Sequence, residues 1–582
     1  MRTSIFPALL CAASFVMLRG ATLNVRDFGA VADGQTNDVL AFQKAIAAAQ
    51  EAGRGSTVFV PAGRYRLEPS SERNRTHLVL SKVTGITLAG TPDTVLIASD
   101  PTRAIISIED SADVTVRGLQ LDRHPLVFTQ GRIDRVDVAK KQIEITIDDG
   151  YDEPDSKYIE RLNAIMIFTE PATGTWDHDA PWPPAIESRT KVGPRQWRLG
   201  LSRARPEYAG KPFVIWRNMF RGAGFSMKNS RNITVEDVIY YGGGANAGFF
   251  INHCEGDIVF RRFGVTVPRG SGRLFSASGG AMVFNNRIRL LLDGCDFWGM
   301  DDDCLNMGTN SSHVLAQLNP RTTVIEGGRG NYRAGDTVAI WDWVAKKERT
   351  RATVEKADWQ AEKRVWEITL DREVVVAKTG DNALSHIKND DPPGVKSEKT
   401  IMAERAARRA NEADGVDRVI NMSDVGTAVI RNSRFHSYRA RNLMIKASDT
   451  LVENNEFYDT TMASIIVGPE FYWDEGPAVH NLTIRNNTFR NISGTNILIE
   501  ARTSAESYDL KNIRIEGNTF LGYGHYAMGV SGKQGSLVFA RNTDGLVVEN
   551  NRIGPADPAA PKVAPLITEV SRNVRESWKT SP

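Results

Sequence analysis

Cysteine is scarce. The 582-residue chain has four, and Cys11 lies inside an N-terminal apolar run. The remaining Cys254, Cys295 and Cys304 are an odd number. They are too few for a disulfide framework and lack zinc-site spacing, so they read as small buried hydrophobes. An excess of charge is missing too. Lys and Arg total 72 against 70 Asp and Glu, with both signs scattered. That excludes the basic stripe of a nucleic-acid binder. Beyond the N-terminus no run of 18 uninterrupted apolar residues occurs, so no membrane span is expected. Long helices between strands are also missing, which excludes a doubly wound sheet or a β/α barrel.

The N-terminus places Arg2 before the apolar stretch Ile5–Leu18, followed by the small residues Gly20 and Ala21. This predicts a cleaved signal over 1–21 and an exported protein, secreted or periplasmic. Leu10 stands where a lipid-modified cysteine would need a small residue, so no lipid anchor is expected.

Repetition is abundant. "VIRNSRF" (429–435), "LVENNEF" (451–457), "LTIRNNTF" (482–489), "IRIEGNTF" (513–520) and "LVVENNRI" (546–553) share one plan. Each is a short alternating strand, an Asn or Gly corner, then an apolar residue. The final residues Phe435, Phe457, Phe489, Phe520 and Ile553 are 22, 32, 31 and 33 apart, a spacing for solenoid coils. Corner asparagines can bond turn backbone and one another. "VTVRGLQL" (114–121), "ITVEDVIYY" (233–241) and "IRLLLDGCDF" (288–297) repeat the plan earlier. The predicted fold is all-β: a right-handed parallel β-helix, with a helix near 37–52 capping its open end.

Two segments break the rhythm. Both contain alternating strands, "QIEITIDD" (142–149) and "VWEITLDR" (365–372), and a matching piece, "GKPFVIW" (210–216) and "GDTVAIW" (335–341). They predict two related small β-barrels inserted as loops. The expected layout is N-terminal coils over 22–128, a barrel over 129–217 and central coils over 218–312. A second barrel over 313–400 and C-terminal coils over 401–570 follow. "AERAARRANEADG" (403–415) reads as a short helix in the return connection.

The chemistry concentrates in "GMDDDCLNM" (299–307). Adjacent carboxylates repel and resist burial. Asp301, Asp302 and Asp303 therefore need a reason to stand together. Alternation points Asp301 and Asp303 one way and Asp302 the other. Three uses compete: general acid and base of glycoside hydrolysis, Ca²⁺ ligation by hard oxygens, and a solvated turn bonded to backbone. The next coils carry "HSYRARNLMIK" (436–446) and "GPEFYWDEGPAV" (468–479). Coil stacking at about 4.8 Å brings Arg439, Arg441, Lys446, Trp473, Asp474 and Glu475 toward the run. Carboxylates, guanidinium donors and an aromatic platform suit a sugar. Ion pairing and coil packing are the plainer uses of the same residues.

At these residues the chain resembles glycoside hydrolase family 110, the α-1,3-galactosidases. The similar pieces are "DFGAVADGQTND", "HPLVFTQG" (124–131), "GSGRLFSAS" (270–278), "GMDDDCLN", "RARNLMI" and "YWDEGPAVHNLTIRNN". The resemblance implies an exported β-helix with two inserted barrels and an inverting mechanism. It places the aspartate pair on Asp302 and Asp303, with Asn306 following. The family's third, upstream aspartate falls on Gly280, and its His-Gly is replaced by "MGTN". The more distant polygalacturonase-like pattern meets the same gap. Another acid must then be recruited, with Asp301, Glu475 and Asp474 as the nearest choices. Asp177, His178 and Asp179 of the first insert could also reach over the site. His253 reads better as a satisfied corner residue.

The expected activity is glycosidic hydrolysis of an α-galactoside-like glycan from a chain end. A polysaccharide lyase using Ca²⁺ with Lys446 or Arg441 as base is the second class. A glycan-binding β-helix with a decayed site is the third. The expected partner is an oligo- or polysaccharide, with no nucleic acid and no membrane. No organic cofactor is implied. The sequence does not set the oligomeric state.

Overall fold

The computed structural model describes residues 20–69, 76–170, 175–176, 183–216, 222–245, 247–380, 415–501, 507–522, 535–555 and 563–580, with 403 and 406. The leader, Asp177, His178 and Asp179, and nearly all of the 403–415 segment lie outside the described residues.

Alternation builds the coils. Arg434–Tyr438 lies parallel on Glu456–Thr460, which lies on Thr488–Ile492 and then on Thr519–Leu521. Phe435, Phe457, Phe489 and Phe520 fall in one register column, with successive ring centroids 5.1, 5.0 and 5.0 Å apart. Spacings of 22 and 32 residues reach the same register because the extra residues go into loops, not strands. Their inward column sits inside one continuous apolar core. At the corner, Asn455 Nδ2 donates to Asn487 Oδ1, Asn487 to Asn518, and Asn518 to Asn551, each at 3.0 Å. Each acceptor oxygen also takes a backbone N–H from the previous coil. Buried corners are thereby satisfied, at about 0.5–1.5 kcal/mol net per bond.

The coil stack continues across two detours. Ile233 lies on Val114 and Phe435 on Phe297, although long segments intervene. The first detour is a seven-stranded antiparallel sheet. In spatial order its strands are Thr175–Trp176, Ala164–Glu170, Pro212–Trp216, Thr129–Asp137, Gln142–Ile147, Gln196–Leu201 and Ile186–Gly193. A bridge between Ala164 and Ala185 returns the last strand to the second. The sheet encloses its own core of Ile133, Ile145, Leu199, Phe213 and Ile215.

The second detour is a closed antiparallel circuit. Leu305–Asn319 pairs Thr322–Glu326, which pairs Val365–Leu370, which pairs Lys347–Gln360. Lys347–Gln360 pairs Thr337–Asp342, which pairs Arg418–Asn421, which returns to Leu305–Asn319. The circuit therefore extends past residue 400 to Asn421, because closure needs one strand from the return connection. At the C-terminus coil pairing runs on to Arg575–Thr580, past the expected 570.

The helix Val39–Ala52 lays Val39, Phe42, Ala45, Ile46 and Ala49 on the core and touches the first strands. Cys254, Cys295 and Cys304 are buried and form no disulfide among the described residues. No helix among the described residues is long and apolar enough to cross a membrane.

Candidate active site

The strand Asp296–Trp298 ends at Gly299, whose φ of 67° turns the chain into the acidic run. The next coil supplies the answering charges. Arg439 Nε meets Asp301 Oδ1 at 2.6 Å. Arg441 grips Asp303 with both nitrogens, Nε to Oδ1 at 2.5 Å and Nη2 to Oδ2 at 2.9 Å. Arginines of the next coil thus hold Asp301 and Asp303, while Asp302 curls back toward the Asp303 amide. The backbone bends here rather than extending, so strand alternation does not set this split. Asp302 alone is open, its side chain 43% exposed and 4.0 Å from Arg441 Nη2. Its Oδ1 accepts the Asp303 N–H. Burial pushes the Asp301 carboxyl up to about 7, and the Asp302 charge adds to this against the pull of Arg439. Asp303 is likewise pushed up to about 7, by burial first, against Arg441.

A second turn completes the network. Glu470 and Glu475 exchange backbone hydrogen bonds at 2.9 and 3.2 Å around the short 3₁₀ turn Phe471–Trp473. Lys446, fully covered, donates to Asn306 Oδ1 at 2.6 Å and Glu475 Oε2 at 2.7 Å. Asn306 Nδ2 donates to the same Glu475 oxygen at 3.2 Å. Glu470 lies between the two halves, 3.7 Å from Arg441 Nη1 and 3.4 Å from Lys446 Nζ. One continuous chain of contacts therefore runs from Asp302 and Asp303 through Arg441, Glu470 and Lys446 to Glu475 and Asn306.

The predicted residues divide three ways. Asp302, Asp303, Arg441, Lys446, Glu475 and Asn306 share this chain. Asp301 and Arg439 form a covered pair beside it. Asp301 is almost sealed, its side chain 2% exposed against 11% for Asp303, which corrects its candidacy as a direct acid: a carboxyl closed to solvent cannot meet a sugar. Asp474 is corrected as a sugar contact for the same reason. It is buried between Arg329 Nη1 at 3.1 Å and Arg418 Nε at 3.2 Å. Trp473, at the turn's apex, is 49% exposed. Among the described residues His253 makes no side-chain hydrogen bond or ion pair to this set, and burial pulls its imidazole down to about 4. Glu470 is the member that sequence reasoning missed. Its signal was its place across a tight turn from Glu475.

Gly280 has a steric explanation. A Cβ there would stand 2.3 Å from the Cys304 carbonyl oxygen. No aspartate fits at that position while the coils keep their spacing. Among the described residues no cluster of three or more His, Cys, Asp or Glu is placed to hold a metal ion. The acids here are answered by Arg439, Arg441 and Lys446 instead.

Residues 411–553 match the family described as right handed beta helix region. Residues 22–139 match rhamnogalacturonase A/epimerase, pectate lyase-like. Alpha-1,3-galactosidase B of Bacteroides thetaiotaomicron is 23% identical over 94% of this chain and 88% of its own length. The chain resembles the α-1,3-galactosidases over most of its length. The Akkermansia muciniphila α-1,3-galactosidase B is 22% identical over 92% of the chain, which spans 66% of that protein. Among solved structures, the A-module of an Azotobacter vinelandii mannuronan C-5 epimerase aligns with 96% of this chain and 99% of its own. Its TM-score is 0.39 at 13% identity. The fold is an all-β, right-handed parallel β-helix.

Proposed function

We propose that the protein is an exported glycoside hydrolase that removes α-galactose-like units from a glycan end with inversion. The observation that carries this reading is the sorting of the acidic run. Stacked arginines hold two of its three carboxyls, and Asp302 alone faces solvent. In this reading Asp302 activates water. Asp303, which keeps a proton up to about pH 7, gives it to the leaving oxygen. Inversion needs the two carboxyl groups about 6.5–9.5 Å apart. Asp302 Oδ1 and Asp303 Oδ2 lie 4.0 and 2.9 Å from one Arg441 nitrogen, so this reading sets them near the lower end of that range. Asn306 and Glu475 supply the donor and acceptor that hold sugar hydroxyls, and the covered Lys446 positions both of them from behind rather than meeting the sugar as the sequence led one to expect. Trp473 offers a ring face. The two antiparallel detours act as inserted modules that wall the groove, which favours action at a chain end. The likeness to α-1,3-galactosidases supports the choice of sugar. The leader over 1–21 supports export, and no organic cofactor enters.

The test is turnover of a panel of α-galactosides and polysaccharide oligomers, with the anomer of the released sugar read by NMR. Release of the inverted anomer by the wild type, lost in Asp302→Asn, supports the reading. Release of an ultraviolet-absorbing unsaturated product makes the protein a lyase. Binding without turnover across the panel makes it a glycan-binding β-helix.

A further inference from the structure

The strands that lead into the acidic run carry a second set of side chains. Phe297, Phe435, Phe457 and Phe489 stack inside the coils. The next residue on each strand therefore points outward. These residues are Trp298, His436, Tyr458 and Arg490, aligned by register in four successive coils. The His436 and Tyr458 rings lie parallel within 15°, their centroids 4.4 Å apart. The Arg490 guanidinium stands 4.7 Å from the Tyr458 centroid. The His436 side chain is only 13% exposed, so the open edges of the column belong to the half-buried Tyr458 and to Arg490. His436 is fixed by Nε2 at 3.0 Å from Asp296 Oδ1.

Arg490 differs from the other arginines of these coils. It is exposed, yet among the described residues no carboxylate pairs with it. By contrast Arg431, Arg434 and Arg485 each hold an Asp or Glu within 2.8 Å. Stacking on Tyr458 orients the guanidinium while its N–H edge stays unspent. The backbone of Thr175–Trp176, from the first detour, lies against Arg434–Tyr438 and Glu456–Thr460, so the column has a bank. Trp298 stands three residues before Asp301. The column thus starts at the acidic turn and runs three coil steps, about 14 Å at the usual strand spacing.

We propose that this column is a binding track for the glycan, and that Arg490 receives an oxyanion, sulfate or carboxylate, carried by a sugar remote from the bond at Asp302. The substrate class is then an acidic glycan. This rests on the hydrolase reading for the site at its near end. A guanidinium meets either oxyanion through paired N–H donors.

Binding is measured by calorimetry on the full chain carrying Asp302→Asn. The ligands are a neutral galacto-oligosaccharide, its sulfated counterpart and an oligogalacturonide of equal length. One anionic ligand should bind about tenfold or more tighter than the neutral one, and its identity names the oxyanion. Arg490→Gln should erase that preference, and Tyr458→Leu should weaken it by freeing the guanidinium. Equal binding of neutral and anionic ligands, a preference that survives Arg490→Gln, or no binding at all overturns the track. Selective binding lost in Arg490→Gln, with no turnover by the wild-type chain, overturns the hydrolase reading and leaves the track standing.

Discussion

The turn carrying Asp301–Asp303 and the turn carrying Glu470–Glu475 meet in one charge network, but different parts of the molecule hold them. Coil stacking holds the first: its arginines arrive in the next coil at equivalent positions. The closed antiparallel circuit holds the second. Arg329 and Arg418 pin Asp474, Trp343 packs edge-on against Phe471 at 4.8 Å, and Asn310 pairs with Glu475. Asp474 itself sits in the left-handed region, with φ 58°, a conformation that costs roughly 1–3 kcal/mol for a non-glycine residue. The two guanidiniums offset that cost. Acids placed by a repeat are thus joined to acids placed by an insertion.

Substitution at one turn and then the other separates chemistry from positioning. Asp302→Asn should lower kcat by about 10²–10⁴-fold, whereas Glu475→Gln should act chiefly on KM, because on the proposed reading its carboxylate, held by Lys446, binds sugar hydroxyls. Steady-state kinetics on one glycan decides between them. Comparable kcat losses in both would erase the distinction.

The arginines behind each turn come next. Arg441→Met leaves Asp303 and Glu470 covered without their guanidinium, and Arg418→Met does the same to one oxygen of Asp474. Each should cost about 3–5 kcal/mol in denaturant titration. Their pH–rate profiles should differ. Removing Arg441 lifts the Asp303 pKa further, so the alkaline limb moves up. Removing Arg418 leaves that limb in place and lowers kcat/KM by loosening Glu475.

A smaller effect is expected in the regular coils. Asn487→Ala breaks the corner ladder and should cost about 1–3 kcal/mol by unmaking buried bonds, with kcat unchanged. The smallest effect is on pH dependence. Asp301 has a folded pKa of about 7, above its unfolded value near 3.9. The folded state therefore binds the extra proton, and this stability is fully present below pH 3.9 and lost as pH rises through 7. Melting temperature should fall between about pH 4 and 7, and Asp301→Asn should lessen that slope, Asp303 carrying the rest.

The coils are legible in the sequence because their causes are local. Alternation selects the inward Phe column, and corner asparagines bond at fixed offsets whatever the loop length. The pairing of Asp301 with Arg439 and Asp303 with Arg441 is legible from coil stacking, since both pairs lie the same 138 residues apart. The fate of Asp474 is not. Its partners Arg329 and Arg418 lie 145 and 56 residues away in the chain, and only closure of the circuit brings them to it. Glu470 stays hidden because its value depends on Lys446 and Arg441 arriving from an earlier coil. The closed space at Gly280 is invisible without backbone distances.

The preserved register has a consequence for how the chain folds. Phe297 and Phe435 are 138 residues apart, where ordinary neighbouring coils are separated by 22 to 33. Closing the longer gap through an unstructured chain costs about 1.2 kcal/mol more, at roughly 0.6 per doubling. The circuit removes most of that span before the coils meet, since His313 pairs directly with Arg418 once it forms. On a ribosome, the solenoid would then halt at Gly308, the last residue of its coil to pair with the coil before, and resume only after the circuit had closed. The insertion would serve as a splint for assembly, setting the order in which the coils join.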